Sequence, residues 1–176
     1  MEILYDPAIS VKDIQNKKNE KIENIFENKK YIISIGRLTR QKNFKLLIRA
    51  FKEIKIKYPD YILLILGEGE EKKELDLLIK NFKLEDEIFL LGYKKNVYKY
   101  LKNSKCLILS SKWEDPGFVL LEASFLNIPI ISSDCKNGPK EILSNGEGGF
   151  LFENGNEKDL LRKFDNFTAC SKSKLK

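Results

Sequence analysis

The chain has 176 residues, 42% hydrophobic and 33% charged, which suits one domain with a buried core and a solvated surface. It has no histidine, so Ser-His-Asp and Cys-His catalysis and His-based metal sites are excluded within it. Three cysteines (Cys106, Cys135, Cys170) are odd in number and widely spaced, which fits reduced thiols better than a disulfide framework or a zinc cluster.

The formal net charge of +6 comes from 28 Lys and 4 Arg, 32 in all, against 26 acids. The lysines are scattered among acids, so they read as a solvated basic surface, weakly attractive to an anionic membrane, rather than a nucleic-acid face. No apolar run approaches the roughly 20 residues of a membrane helix, and residues 1–7 lack the pattern of a secretion signal. A cytoplasmic location is the expectation.

Residues 1–30 are polar and weakly periodic, and are expected to form a linker or loose lead-in. Short runs rich in Ile, Leu and Val predict strands over residues 31–35, 61–66, 87–91, 106–109 and 129–132, with a short one near 149–151. Each is apolar on both faces, as a helix-covered sheet requires. Between the first two, Phe44, Leu47, Ile48, Phe51 and Ile54 recur at helical spacing, with Asn43 as the expected N-cap and Pro59 beyond the end. Further helices are predicted over 70–81, 97–103, 118–126, 139–143 and 158–167. The basic stretch 168–176 is expected to be a disordered tail. Right-handed crossovers make this an α/β domain over residues 31–167, a Rossmann-like parallel sheet with helices on both faces. Cys106, inside an apolar run, is expected to be buried.

In such a sheet a ligand lies beyond the carboxyl ends of the strands, which selects the loops 36–43, 67–71, 92–96, 110–117 and 133–139. The first reads Gly36-Arg37-Leu38-Thr39-Arg40-Gln41-Lys42-Asn43. Its glycine allows a tight turn, and Arg37 and Lys42 can reach an anion; the loop is equally readable as basic surface. Gly67-Glu68-Gly69-Glu70-Glu71 is no dinucleotide fingerprint, because position 72 is Lys where a third glycine belongs. A strand-to-helix turn with acids at the helix start explains it as well.

The strongest local signal is Trp113-Glu114-Asp115-Pro116-Gly117-Phe118-Val119-Leu120-Leu121-Glu122-Ala123. Two carboxylates flank a helix N-terminus whose unpaired amides suit phosphate oxygens. Acids beside an anion hole make sense if they contact hydroxyls of a sugar and a ribose. A helix with one acidic cap and one exposed Glu is the competing reading. In 133–139, Pro139 opens a helix, and Lys136 and Lys140 either add charge near the crevice or are solvated.

Taken together, Gly36-Arg37-Leu38 with Lys42-Asn43, Leu66-Gly67-Glu68-Gly69, Gly92, the pair Glu114 and Glu122, and Gly138-Pro139-Lys140-Glu141-Ile142 before Gly148-Gly149-Phe150-Leu151 resemble one family. They are similar to the C-terminal, donor-binding domain of family 4 glycosyltransferases, one half of the GT-B fold. The likeness covers residues 31–152. It implies that Arg37 and Lys42 neutralise the diphosphate of a nucleotide sugar, and that Gly36 and Gly67 belong to the same site. It places Glu114 at the donor sugar, Glu122 at the ribose hydroxyls, and the amides of Phe118 and Val119, after Gly117, on phosphate oxygens. Gly92 and Tyr93 would lie against the base. The family's usual Gly and Phe after the first Glu are here Asp115 and Pro116, and the proline removes an amide from that loop.

The resemblance further implies transfer of a hexosyl group with retention and without a metal, the cations and the helix N-terminus stabilising charge on the departing diphosphate. Glu114, Arg37 and Lys42 are then the catalytic candidates. Likeness over residues 137–142 to transferases of cell-surface polysaccharide, lipopolysaccharide and lipid-linked oligosaccharide assembly implies a UDP-sugar donor, no other cofactor, and a glycan or lipid-linked acceptor. The acceptor would be met through an N-terminal domain absent from this chain, with peripheral association at the inner face of the membrane. Ile3-Leu4-Tyr5-Asp6-Pro7 resembles the linker to that domain, so the isolated chain is expected to be poorly active or inactive. The competing readings are a non-catalytic nucleotide-binding module or fragment, an epimerase, disfavoured by the lack of His, and a basic nucleic-acid-binding protein. The last would need cations on one face with stacking aromatics, whereas here most Phe sit in apolar stripes.

Overall fold

Strands that are apolar on both sides need a cover on both sides, and the computed structural model, which describes residues 9–173, provides it. Six strands, β1 (Lys30–Ile35), β2 (Tyr61–Leu66), β3 (Ile88–Leu90), β4 (Cys106–Leu109), β5 (Ile130–Ser133) and β6 (Phe150–Phe152), form one sheet in the order β3-β2-β1-β4-β5-β6. Every pairing is parallel. Within β1 the pleat alternates: Ile32 joins one core with Leu47 and Phe51 of α2 (Phe44–Lys57), Leu75 of α3 (Lys72–Asn81) and Phe164 of α7 (Glu157–Ser173). Tyr31 and Ile33 join the other with Leu101 of α4 (Tyr98–Asn103) and Leu120 of α5 (Phe118–Phe125). Cys106 is fully buried in β4. The order reverses between β1 and β4, and a crevice opens there beyond the strand ends. The short α6 (Pro139–Ile142), with proline at its first position, closes the β5 side.

Two expectations are corrected. The lead-in is not loose where it is described. It contains α1 (Val11–Lys17), capped by Ser10, whose hydroxyl accepts from Asp13 N at 3.3 Å, and a 3-10 turn at Asn24–Phe26. Ile14, Ile22 and Phe26 are buried, and their spacing of eight and four residues, across a stretch rich in Lys, Asn and Glu, sets up no sustained helical or strand period. Residues 1–7, where the linker-like segment lies, fall outside the described residues. The tail is helical through Ser173 rather than disordered from residue 168, because Phe167 and Thr168 are buried and the Tyr58 hydroxyl lies 2.9 Å from Thr168 Oγ1 on α7. Residues 174–176 lie outside the described set.

Smaller shifts fall at element ends, as with α3, which starts at Lys72 rather than at residue 70. Asn43 does occupy the N-cap of α2, but in left-handed backbone and without a side-chain cap. Its carbonyl, and that of Lys42, accept from Ser110 Oγ at 3.2 and 2.9 Å, which ties the first crevice loop to the end of β4.

Candidate nucleotide-sugar site

The centre of the crevice is an ion pair. Lys42, in the loop after β1, donates to both carboxylate oxygens of Glu114, in the loop after β4, at 2.6 and 2.7 Å. The pair is shielded, with side-chain exposures of 15% for Lys42 and 3% for Glu114. Ser111 also donates to Glu114 Oε1, and its own carbonyl accepts from Ser133 Oγ at 2.6 Å. The Glu114 amide donates to the Lys136 carbonyl at 3.0 Å, so the carboxylate is held by β4, β5 and the first loop together. An ammonium has three donors; two are spent on Glu114, and one is left for a ligand in the crevice.

Next to this pair α5 begins. The cis Asp115-Pro116 bond precedes Gly117, the N-cap of α5, which adopts left-handed backbone with no side chain capping the helix. A Cβ there would meet Glu114 Cγ at 3.3 Å, so glycine lets the helix N-terminus sit against the carboxylate. Phe118, 48% exposed, and Val119 start the helix directly after Gly117, which lies against the best-shielded ion pair among the described residues. Glu122 lies one turn further on, half-buried, and accepts from the Tyr98 hydroxyl at 3.1 Å. Burial pushes its carboxyl upward from the usual range, against the opposing hydrogen bond from Tyr98. Burial, followed by the Glu122 charge, in turn pushes the Tyr98 phenol up to about 12.

The remaining predicted residues gather at a second spot, a pocket of about 280 Å3 lined by Gly36, Arg37, Gly67, Glu68, Tyr93 and Val97 among others. Backbone contacts build its floor: Gly36 N donates to Leu66 O at 3.0 Å and Gly67 N to Gly92 O at 2.9 Å. Gly67 has φ +138°, and a Cβ there would fall 1.9 Å from Gly36 O, so only glycine lets the two loops meet. Arg37 is exposed, and its side chain makes no hydrogen bond or ion pair among the described residues, whereas its carbonyl accepts from Thr39 N at 2.8 Å. Tyr93 is 72% exposed; its amide donates to Glu68 Oε1 at 3.4 Å. Thus Lys42, Glu114 and Gly117 form one cluster and Arg37 with the glycine loops another; a Cβ on Gly36 would fall 3.1 Å from Lys42 Cε, so the Lys42 side chain lies against the second cluster, and Glu122 is on α5.

Sequence reasoning missed Ser111, Tyr98 and Asn96. A pair of serines ending the apolar run of β4 was a visible sign, since hydroxyls at the carboxyl edge of a buried strand face a crevice. Nothing local marked Tyr98. Lys140 is exposed. Among the described residues no cluster of three His, Cys, Asp or Glu side chains suits a metal ion, and no helix is long and apolar enough to cross a membrane.

A six-stranded parallel sheet in the order β3-β2-β1-β4-β5-β6 with helices on both faces is a Rossmann-like fold of the kind found in GT-B proteins. The chain belongs to the family of glycosyl transferases group 1, whose model matches residues 15–176. It is 47% identical over 134 residues to an uncharacterized glycosyltransferase of Methanocaldococcus jannaschii, covering 74% of this chain and 33% of that protein. It is 37% identical over 161 residues to the N-acetylgalactosamine-N,N'-diacetylbacillosaminyl-diphospho-undecaprenol 4-alpha-N-acetylgalactosaminyltransferase of Campylobacter jejuni, covering 92% of this chain and 42% of that one. The chain therefore spans between a third and about two fifths of the length of these relatives. Among solved structures it is similar to a mutant of S. aureus TarM in complex with fondaparinux, alpha-GlcNAc-glycerol and UDP. The TM-score is 0.76 at 28% identity, over 80% of this chain and 29% of TarM.

Proposed function

We propose that this chain is the donor-binding half of a retaining, metal-independent glycosyltransferase that moves a hexosyl group from a UDP-sugar to a glycan or lipid-linked acceptor in cell-surface polysaccharide synthesis. The observation that carries the reading is the shielded Lys42–Glu114 pair set against the uncapped N-terminus of α5, with Glu122 one turn beyond. In this reading the pocket beside Gly36, Gly67, Gly92 and Tyr93 takes the uracil. Glu122 accepts from the ribose hydroxyls, and the diphosphate lies between Arg37, the third Lys42 donor, and the amides of Phe118 and Val119. Glu114, held in place by Lys42 and Ser111, offers its remaining lone pairs to the sugar hydroxyls.

As the glycosidic C–O bond breaks, negative charge grows on the departing UDP phosphate. Two cations and a helix N-terminus meet it in a partly desolvated crevice, where fixed charges act strongly. The acceptor proton passes to that phosphate oxygen as the new bond forms on the same face, so no histidine is required. UDP is favoured because TarM, at 28% identity, is described in complex with it. The lipid-linked acceptor is favoured by the undecaprenol-linked substrate named for the Campylobacter jejuni relative. The acceptor would be held by a further N-terminal domain, at the cytoplasmic face of the membrane with peripheral contact only.

The test is calorimetry of the chain with UDP, GDP and ADP, repeated with Glu122→Ala and Arg37→Ala. Saturable binding of UDP, weakened about tenfold by either substitution, is expected, since a hydrogen bond to a charged group is worth about 1.5–3 kcal/mol. No binding at millimolar nucleotide by a chain shown to be folded by circular dichroism refutes it.

A further inference from the structure

Glu122 does not stand alone on α5. Tyr98, the first residue of α4, donates its hydroxyl to Glu122 Oε1 at 3.1 Å, and Oε2 accepts no hydrogen bond among the described residues. Tyr98 is itself fixed from behind: its amide donates to Asn96 Oδ1 at 3.1 Å, and Asn96 Nδ2 donates to the Lys17 carbonyl at the end of α1, at 2.9 Å. Val97, between these two residues, lines the 280 Å3 pocket. A continuous run of hydrogen bonds therefore leads from the lead-in helix, past the edge of the pocket, to one oxygen of the carboxylate.

We infer that Tyr98 is a positioning residue that holds Glu122 with one oxygen occupied and the other presented to a vicinal diol, so that this site selects ribonucleotides over nucleotides lacking the ribose hydroxyls. The inference rests on the assignment of Glu122 to the ribose made above. A half-buried carboxylate on a helix has several rotamers and two equivalent oxygens; a phenol donor on Oε1 removes the rotation and leaves Oε2 as the acceptor. Aliphatic or aromatic side chains without a donor at position 98 would leave the carboxylate free to turn away. Asn96 extends the same control to α1, since it ties the first turn of α4 to the lead-in.

The experiment measures affinity of the 176-residue chain for UDP and for 2′,3′-dideoxyuridine diphosphate, in the wild type, Tyr98→Phe, Glu122→Ala and the double variant. The wild type is expected to prefer UDP. Tyr98→Phe should weaken UDP about fivefold while leaving the dideoxy ligand unchanged, which corresponds to about 1 kcal/mol for one hydrogen bond. Adding Tyr98→Phe to Glu122→Ala should change nothing further. Equal weakening of both ligands by Tyr98→Phe would show a structural role and overturn the inference, as would an unchanged preference. If Glu122→Ala leaves the wild-type preference intact, the ribose assignment itself fails and the inference falls with it. Thermal melts of Tyr98→Phe, expected within a few degrees of the wild type, confirm that a folded protein was measured.

Discussion

Among the described residues Lys42 is the only cation bonded to Glu114, and replacing it by methionine removes that charge while keeping most of the side-chain volume. Glu114 is 2% exposed, and once Lys42 is gone only the Ser111 hydroxyl, among the described residues, still bonds its carboxylate. Breaking a buried pair from one side costs about 3–5 kcal/mol, because the partner charge stays behind. Lys42 keeps 15% exposure, so water reaches the gap, and the lower end, about 3 kcal/mol, is the working value. For a chain of this size that is a fall in melting temperature of about 6–12 °C. Glu114→Gln should cost less, since Lys42 can turn to solvent, and the double variant Lys42→Met/Glu114→Gln should recover most of the loss. The assay is thermal unfolding followed by circular dichroism, with urea titration to confirm the ranking. A Lys42→Met melting temperature within about 2 °C of the wild type, or a double variant as poor as the sum of its parts, would refute the claim that the pair is shielded and coupled.

Two glycines with positive φ separate backbone strain from close packing. Gly155 (φ +78°) has nothing within 4 Å of an added Cβ, whereas Gly67 (φ +138°) would put that atom 1.9 Å from Gly36 O. Gly155→Ala should cost about 1 kcal/mol, and Gly67→Ala about three times that together with loss of UDP binding; equal urea midpoints would contradict the argument. A third prediction concerns acid. Burial works to raise the Glu23 carboxyl, but hydrogen bonds from Tyr100 at 2.6 Å and Lys94 at 3.0 Å outweigh it and hold the group at about 2. A carboxyl held low contributes stability that is present above its unfolded range and lost as pH falls toward 2. The stability gap between wild type and Glu23→Gln should therefore be full at pH 6 and shrink between about pH 4.5 and 2; a gap constant over that window would show that the network does not hold the ionised form. Because Glu23 is 41% exposed, the gap itself should be small.

Local pattern and contact across the chain explain what was legible and what was not. The run Tyr61 to Leu66 can only be a strand covered on both faces, and β2 occupies those same residues. The helix from Phe44 was visible in its 3.6-residue stripe, all of which is buried. The loops that line the crevice followed from the order of strands and helices alone. The lead-in escaped because its anchors, Ile14, Ile22 and Phe26, follow no regular period in a lysine-rich stretch, and what makes them a segment of the domain is α4 and the loop before it, some seventy to eighty residues later. Lys99 donates to the Lys21 carbonyl at 3.0 Å, and Lys94 pairs with Glu23. The sequence offers the candidate site residues one by one and says nothing of their arrangement. Glu114 and Lys42 were separate expectations, seventy-two residues apart, and only the packing of two loops joins them. Tyr98 was invisible for the same reason: its partner sits on the next helix.

The crevice loops also touch one another without side chains between them. Gly67 lies on Gly36, Gly69 on Leu38, and Gly138 on Pro116, each so close that a Cβ would fall between 1.9 and 2.4 Å from a carbonyl oxygen of the other loop. Such joints cannot be tuned residue by residue, since no side chain is available to trim or enlarge. A relative with a differently shaped crevice would have to change loops as matched sets, 36–43 with 67–71 and 110–117 with 133–139. A chimera that exchanges one member of a set would inherit a gap or a collision where the native protein has backbone on backbone. Because Lys42 also pairs with Glu114 and the Ser110 hydroxyl donates to the Lys42 carbonyl, the two sets meet as well, and only all four loops exchanged together would carry the crevice across whole.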